Sequence, residues 1–330
     1  MRLRGLAVLV LVLLVACEAP QRPASPDPRS AVDEALTALA GETAVAYRVP
    51  GATLTVTKGG LVEGQVPVRD DTVRALRVGG SLYVRASPAY WQRQGMSAPR
   101  AERFGSQWTR ADRGVPFDPG RLMAPQVVAA ALRAALPVGV LPVQADGAFD
   151  LGGLRVTATS PHRVLSFPPA FLGPVAGQFG PHEIALGDVH LPGLRERLDE
   201  GVAELGQPLI AGPVVAARVT DHELRCTANG ACTDTVRIDN RLLGAAPGAA
   251  ARVSLTSAVT SDALGTRTCA RDVVLPLDTA ADVSCSVKFT LPRTDGATRL
   301  QAAPSVTAEP VALVDPGALN RDIAAELGRV

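Results

Sequence analysis

Val73-Arg74-Ala75-Leu76-Arg77-Val78-Gly79-Gly80-Ser81-Leu82-Tyr83-Val84-Arg85-Ala86 is the stretch that decides the fold of the first half of this chain. Two alternating runs flank a Gly-Gly pair, and glycine readily takes the positive φ angles of a primed two-residue turn, so the stretch predicts an antiparallel hairpin. Its register is expected to gather Leu76, Val78, Leu82 and Val84 on one face. The same alternation precedes it in Ala44-Val45-Ala46-Tyr47-Arg48-Val49, in Ala52 to Thr57, and in the return from Leu61 to Val68 across the Lys58-Gly59-Gly60 turn. Before these strands, Ser30 can cap a helix through Ala31 to Ala40 that stops at Gly41, with Val32, Leu36 and Leu39 on one face.

Beyond the hairpin, the pattern turns helical around Pro88 to Gln94 and returns to strand near Gln107-Trp108-Thr109. It then gives a long apolar helix from Pro119 to Leu136. Pro125 should break that helix, because proline lacks the N–H and clashes with the preceding turn, leaving Val127 to Leu136 as the regular part. Strands follow at Leu154 to Thr159, Arg163 to Phe167 and Glu183 to Leu186. Leu194 to Leu205 reads as a polar connecting helix with Glu196 and Glu200 on a solvated face.

The texture changes from Pro213 to Pro292. Val214 to Thr220, Thr235 to Asp239, Ala251 to Val259, Thr266 to Leu275 and Val283 to Leu291 are strand-like runs separated by turn residues, the habit of an immunoglobulin-like sandwich. The Trp usual in antibody domains is absent, so the expectation is the architecture and not that family. This segment holds Cys226, Cys232, Cys269 and Cys285, which should pair in an oxidising compartment. Four cysteines allow three connectivities. The Asn229-Gly230 turn favours Cys226 with Cys232, leaving Cys269 and Cys285 to pair across the sandwich or between neighbouring strands. Their spacing lacks the CxxC or paired His of a zinc site. Arg293 to Val330 reads as a tail with one helix candidate, Pro316 to Leu327, and an expectation of partial disorder.

The fifth cysteine sets the address. Arg2 and Arg4, the apolar run Leu6 to Val15 and then Leu14-Val15-Ala16-Cys17 resemble a bacterial lipoprotein signal with its lipobox. The resemblance implies removal of residues 1–16, a diacylglyceryl group on the Cys17 thiol and an acyl chain on the new amine. Two or more chains at about 0.8 kcal/mol per buried methylene hold a protein to a membrane without a spanning helix. Ala19 to Arg29 carries four prolines and reads as an extended tether. The expected product is therefore anchored on the extracytoplasmic face of the cell membrane.

Loss of residues 1–16 removes two of the 33 basic residues, leaving 31 against 32 acidic ones, a balance that argues against nucleic-acid partners. The remaining 314 residues, from 330, exceed the usual single-domain size and predict two domains. Aromatic content of 4 % means that any interior must be lined mainly by Val, Leu and Ala. No GxSxG, HExxH, phosphate-loop or dinucleotide motif is present. His182, Asp188 and His190 share parity, but Gly187 and Pro192 interrupt any continuous strand, so a solvated loop is the expectation and a metal site is not. His162 follows Ser160-Pro161 without an orienting acid nearby, which leaves no Ser-His catalytic pair.

Set in order, residues 31 to about 192 resemble the LolA-like fold of lipoprotein carriers, in particular the LppX and LprG type. The resemblance rests on the lipobox, the initial helix, the Val73–Arg85 hairpin ahead of Tyr90-Trp91, and the motifs Trp108-Thr109, Phe117-Asp118-Pro119 and Ala148-Phe149-Asp150-Leu151-Gly152-Gly153-Leu154. It implies an α+β unit, a curved antiparallel half barrel covered by helices, whose concave face can hold acyl chains. Leu54, Val56, Leu76, Val78, Leu82, Val84, Val128 and Leu132 are candidate lining residues. It implies no catalytic group and no cofactor beyond the covalent lipid.

The resulting organisation is a signal (1–16), a tether (17–30), a half-barrel domain (31–205), an all-β, disulfide-bearing sandwich (206–292) and a tail (293–330). The expected function is non-enzymatic binding or carriage of a lipid or other apolar ligand. The alternative is an envelope-interaction lipoprotein with a packed core, contacting a partner protein through the sandwich. Cys17→Ser should abolish the detergent-partitioning mature form, because Leu6 to Val15 is too short to span a bilayer in its place. Membrane fractionation of wild type and variant checks this, and water-soluble wild-type protein recovered from the medium would refute it.

Overall fold

The computed structural model describes residues 27–68, 71–111, 118–137, 143–291 and 298–328. Cys17, the signal and most of the tether fall outside them. The first helix, α1 (Pro28–Gly41), starts earlier than Ser30. Asp27 is its N-cap, its carboxylate accepting from the Arg29 amide at 3.3 Å, and Pro28 supplies a φ already suited to the first turn.

The strands that follow are β1 (Ala44–Val49), β2 (Ala52–Thr57), β3 (Val62–Val68), β4 (Asp71–Val78) and β5 (Ser81–Arg85). Short helices α2 (Pro88–Arg93) and α3 (Ala98–Phe104) lead to β6 (Trp108–Arg110). Pro125 divides the long apolar segment as expected, into α4 (Pro119–Leu122) and α5 (Pro125–Ala135). Next come β7 (Val143–Ala145), β8 (Ala148–Leu151), β9 (Leu154–Thr157), β10 (Val164–Phe167), a 3₁₀ segment (Pro169–Gln178) and β11 (Ile184–Gly187). Helix α6 (Leu191–Leu205) ends this half.

The second half contains β12 (Leu209–Ile210), β13 (Val214–Cys226), β14 (Ala231–Leu243), β15 (Ala249–Ser261), β16 (Gly265–Leu275), β17 (Ala280–Lys288), β18 (Gln301–Ala312) and α7 (Pro316–Leu327). Among the described residues the strands form two sheets. The larger has the order β16-β15-β18-β12-β6-β5-β4-β3-β2-β1-β11-β10-β9-β8-β7, and the smaller is β13-β14-β17. The two halves therefore share one sheet. Its central link is Leu209, which pairs in parallel with Thr109 of β6 and antiparallel with Val311 of β18.

The Gly79-Gly80 turn forms, with φ of 55° and 75°, but the expected facing of the hairpin is corrected. Val78 pairs with Ser81, Arg77 with Leu82, and Ala75 with Val84. Directly opposed residues share a face. A two-residue turn therefore puts Leu82 and Val84 with Ala75, and sets Leu76 and Val78 with Tyr83 on the reverse side. Leu82 and Val84 join Leu54, Val56, Val128 and Leu132 in the core beneath α1 and α5. Leu76 and Val78 lie instead in a second core under α6 and α7.

That second core corrects the reading of α6 as a polar connector. Glu196 and Glu200 are exposed, yet Leu194, Leu198, Val202 and Leu205 form a fully buried stripe at helical spacing. The tail is corrected as well. Gln301–Ala312 is an ordered strand between β15 and β12, and α7, over the residues expected, returns to the first sheet. Leu319 occupies the space a Cβ would need at Gly79, and Glu326 does the same at Gly59 while accepting from the Gly59 amide at 3.0 Å and the Thr57 hydroxyl. The two Gly-Gly turns thus seat the last helix of the chain.

In the second half, Val236, Ile238 and Val283 of the small sheet pack against Val253 and Leu255 of the large one. At one level Asp234 is fully buried, accepting from Ser257 across the sheets at 2.5 Å and facing His222 Nδ1 at 3.2 Å. A clamp joins the halves. Glu309 of β18 accepts from Arg100 Nε at 3.0 Å and from Arg103 Nε at 2.9 Å, while Arg100 also donates to the Pro213 carbonyl at 2.6 Å. Glu309→Ala would leave two guanidinium groups without a carboxylate. Breaking a buried pair costs roughly 3–5 kcal/mol, and the partial exposure of Arg103 reduces that to about 2 kcal/mol. Calorimetry should show a lower Tm for Glu309→Ala and a smaller loss for Glu309→Gln.

Candidate functional site

The structure brings the four later cysteines together in the two pairs the turn chemistry favoured. Cys226 and Cys232 face each other at the end of the β13–β14 hairpin, with a Cα–Cα distance of 4.0 Å. Cys269 and Cys285 join the two sheets, with Cα atoms 5.8 Å apart. They sit opposite Ser257 and Asp234, so the disulfide and the buried carboxylate bridge the sandwich at one level.

Of the residues weighed for catalysis or metal binding, His162, Asp188 and His190 are engaged in structural contacts. His190 caps α6, its Nδ1 accepting from the Gly193 amide at 3.2 Å. Asp188 pairs with Arg163 at 2.8 Å. His162 is buried, with Nδ1 2.9 Å from the Thr157 carbonyl. His222 and Ser257 both address Asp234, so the carboxylate stands between them and no imidazole touches the hydroxyl.

The six candidate lining residues that do share a face, Leu54, Val56, Leu82, Val84, Val128 and Leu132, are each no more than 4 % exposed. Helices α1 and α5 cover this face of the sheet with their own aliphatic stripes. The void among Tyr47, Leu54, Val66, Met123 and Phe179 holds about 10 Å³, the volume of less than one water. This interior is packed. It also contains polar atoms without hydrogen-bond partners, Tyr47 Oη, Tyr90 Oη and Trp91 Nε1. Burial raises the Tyr47 phenol well above its usual range, and burial together with the Asp71 charge pushes Tyr90 up to about 12.

A roomier site lies at the edge of the same layer. Where the C-terminal half of α1 passes β1, β10 and β11 and meets the start of α6, a groove of about 680 Å³ opens. Ala35, Leu39 and Val45 form its base, and Leu165, Leu186, Val189 and Leu191 line its sides, all apolar. Its charged residues are Arg48, Arg163, Glu42 and Asp188. Arg163 is taken by Asp188. Arg48, on the outward side of β1 opposite Thr53, has no ion-pair partner among the described residues. The sequence reading passed over this site. Its one local signal is that Arg48 is the only charge in the run Ala44–Val49.

Comparison with known proteins gives no matching family model, no matching curated protein and no matching solved structure.

The packed interior generates a stability prediction. Tyr47→Phe removes an unpartnered hydroxyl and should be neutral or stabilise by about 1 kcal/mol, whereas Leu132→Ala should cost about 2–5 kcal/mol. Because the folded-state pKa values of Tyr47 and Tyr90 are raised, their contribution is complete below the unfolded value near pH 10 and declines as pH rises towards 12. Denaturant melts across that window, with phenolate absorbance followed in parallel, should show ionisation of these two tyrosines coinciding with unfolding.

Proposed function

We propose that this chain is a non-enzymatic, lipid-anchored extracytoplasmic lipoprotein that binds the apolar chain of a lipid in the groove beside α1. The groove carries the reading. Its volume of about 680 Å³ falls within the roughly 300–1,000 Å³ of ligand sites, and aliphatic side chains line it alongside Glu42, Thr43, Arg48, Thr157, Arg163 and Asp188 in a cleft open to solvent. Burying ten methylenes there at about 0.8 kcal/mol each gives roughly 8 kcal/mol, the size of a micromolar affinity before the costs of association, which leave a weaker complex unless a head-group contact adds to it. The lipobox at Cys17 supports the address, and no described helix is long and apolar enough to cross a membrane.

The LolA-like resemblance implies a sheet covered by helices, and in this chain the strands from β6 to β7 run side by side in one sheet with α1 and α5 lying across one face. Helices α6 and α7 on the reverse face depart from a one-sided covering, and the packed interior moves the expected ligand from inside the half barrel to its edge. The non-enzymatic reading rests on the engagement of His162, His190, Asp188 and Asp234 in structural contacts.

A second reading, an envelope-interaction protein acting through an immunoglobulin-like sandwich, is favoured by the stiff union of the two halves. A shared sheet and the Glu309 clamp hold the polar outer face of β14 and β17, with Thr235 bonded to Ser284 at 2.9 Å, in a fixed place for a partner. Purification from a native-like host followed by lipid extraction and mass spectrometry tests the pair. Stoichiometric lipid, absent from a Leu165→Glu variant, is the outcome expected from the groove. A lipid-free protein that cross-links one partner in cells, and loses it on Thr235→Lys, would replace the first reading with the second.

A further inference from the structure

Resting on the apolar-chain reading of the groove, we infer that its ligand is an anionic amphiphile whose head group is held by Arg48. The chemistry of the groove is divided. One part is aliphatic, and the other carries guanidinium groups. Arg163 already has its counter-ion in Asp188 at 2.8 Å. Glu42 is exposed at the α1 end of the groove and forms no ion pair among the described residues. Arg48 is the one groove cation whose charge no neighbouring carboxylate answers, and its five N–H donors suit a carboxylate or phosphate.

Its position is shaped by the strand beside it. Gly187 of β11 pairs with Ala46 of β1, and a Cβ on Gly187 would meet the Arg48 guanidinium at 2.7 Å. The missing side chain lets the guanidinium lie across β11 at Gly187, on the face of the sheet opposite Leu186, where it lines the rim of the groove. A ligand with its chain along Val189 and Leu191, which pack against the core on the outer face of the sheet, would present its head to Arg48 on that same face. A neutral lipid would fill the same apolar surface and leave the cation unanswered. The amphiphile can be a fatty acid or an anionic phospholipid, and the shared requirement is one long chain beside one anionic group.

The test uses the mature chain, residues 17–330 with Cys17→Ser, in detergent-free buffer, titrated with palmitate, hexadecanol and inorganic phosphate. Palmitate should bind wild type at least tenfold tighter than hexadecanol, and Arg48→Gln should remove that preference while leaving hexadecanol binding unchanged. Gly187→Leu, which displaces the guanidinium without deleting it, should weaken palmitate in the same direction. Equal palmitate affinity in wild type and Arg48→Gln overturns the assignment of the head group and leaves the apolar-chain reading standing. Inorganic phosphate bound at Arg48 as tightly as palmitate overturns the amphiphile in favour of a bare anion site. Failure of wild type to bind either long-chain probe, with no lipid recovered from the native-host protein, overturns both.

Discussion

Two residues of strand, Leu209 and Ile210, carry the continuity on which the rest of the structure depends. Leu209 pairs with β6 on one side and β18 on the other, and its side chain is buried with Val311 in the core that α1 and α5 cover. An exposed edge at β6 would leave a row of unpaired backbone groups, and the same holds for β18. Pairing both to one short strand satisfies those groups and fixes the sandwich relative to the first half. The arginines of α3 then reach Glu309, and β18 delivers α7 back to the Gly59-Gly60 and Gly79-Gly80 turns. The chain is thus closed on itself by contacts between residues about 100 to 270 positions apart.

Local chemistry was legible where one residue type decides one local geometry. Pro125 divided the apolar helix, Gly79-Gly80 turned the hairpin, and Asn229-Gly230 brought Cys226 to Cys232. Facing was misread because the parity of a two-residue turn was not carried through: with Val78 opposite Ser81, the apolar residues of the two strands fall on opposite sides. The hairpin is apolar on both sides for a reason that lies elsewhere in the chain, namely that α6 and α7 cover the reverse face. A helix with acids at Glu196 and Glu200 looks solvated until its four-residue apolar stripe is counted. The strand Gln301–Ala312 was invisible for a related reason, since its Ala- and Pro-containing run has weak intrinsic strand preference and gains its order from β15 alongside it.

The groove could not be read from sequence at all, because no local segment makes it. Leu39 comes from α1, Arg48 from β1, Leu165 from β10, Leu186 from β11 and Leu191 from α6. Each is unremarkable in its own element. The packed interior, by contrast, has the composition expected of a cavity wall, since aliphatic residues line cores and pockets alike. What separates the two is volume, and α1 takes part in both: Val32, Leu36 and Leu39 fill the core, while Ala35, Ala38 and Leu39 border the open groove beside it.

That division bears on how the membrane and the groove relate. Nine residues lie between Cys17 and the Asp27 cap of α1, and ten steps of extended chain at about 3.3–3.6 Å each mean that a lipid on Cys17 would keep the start of α1 within roughly 35 Å of the bilayer surface. Helix α1 has 14 residues at 1.5 Å rise, about 21 Å in all, and the groove lies along its second half. The element that seals the interior would therefore also be the one tied to an anchor at Cys17. A ligand entering the interior would have to displace the apolar stripe of α1 against the ion pair between Asp33 on α1 and Arg133 on α5. A ligand in the groove would displace nothing and would meet the Arg48 charge, so on the proposed reading the groove beside α1 is the lower-cost place for an apolar chain.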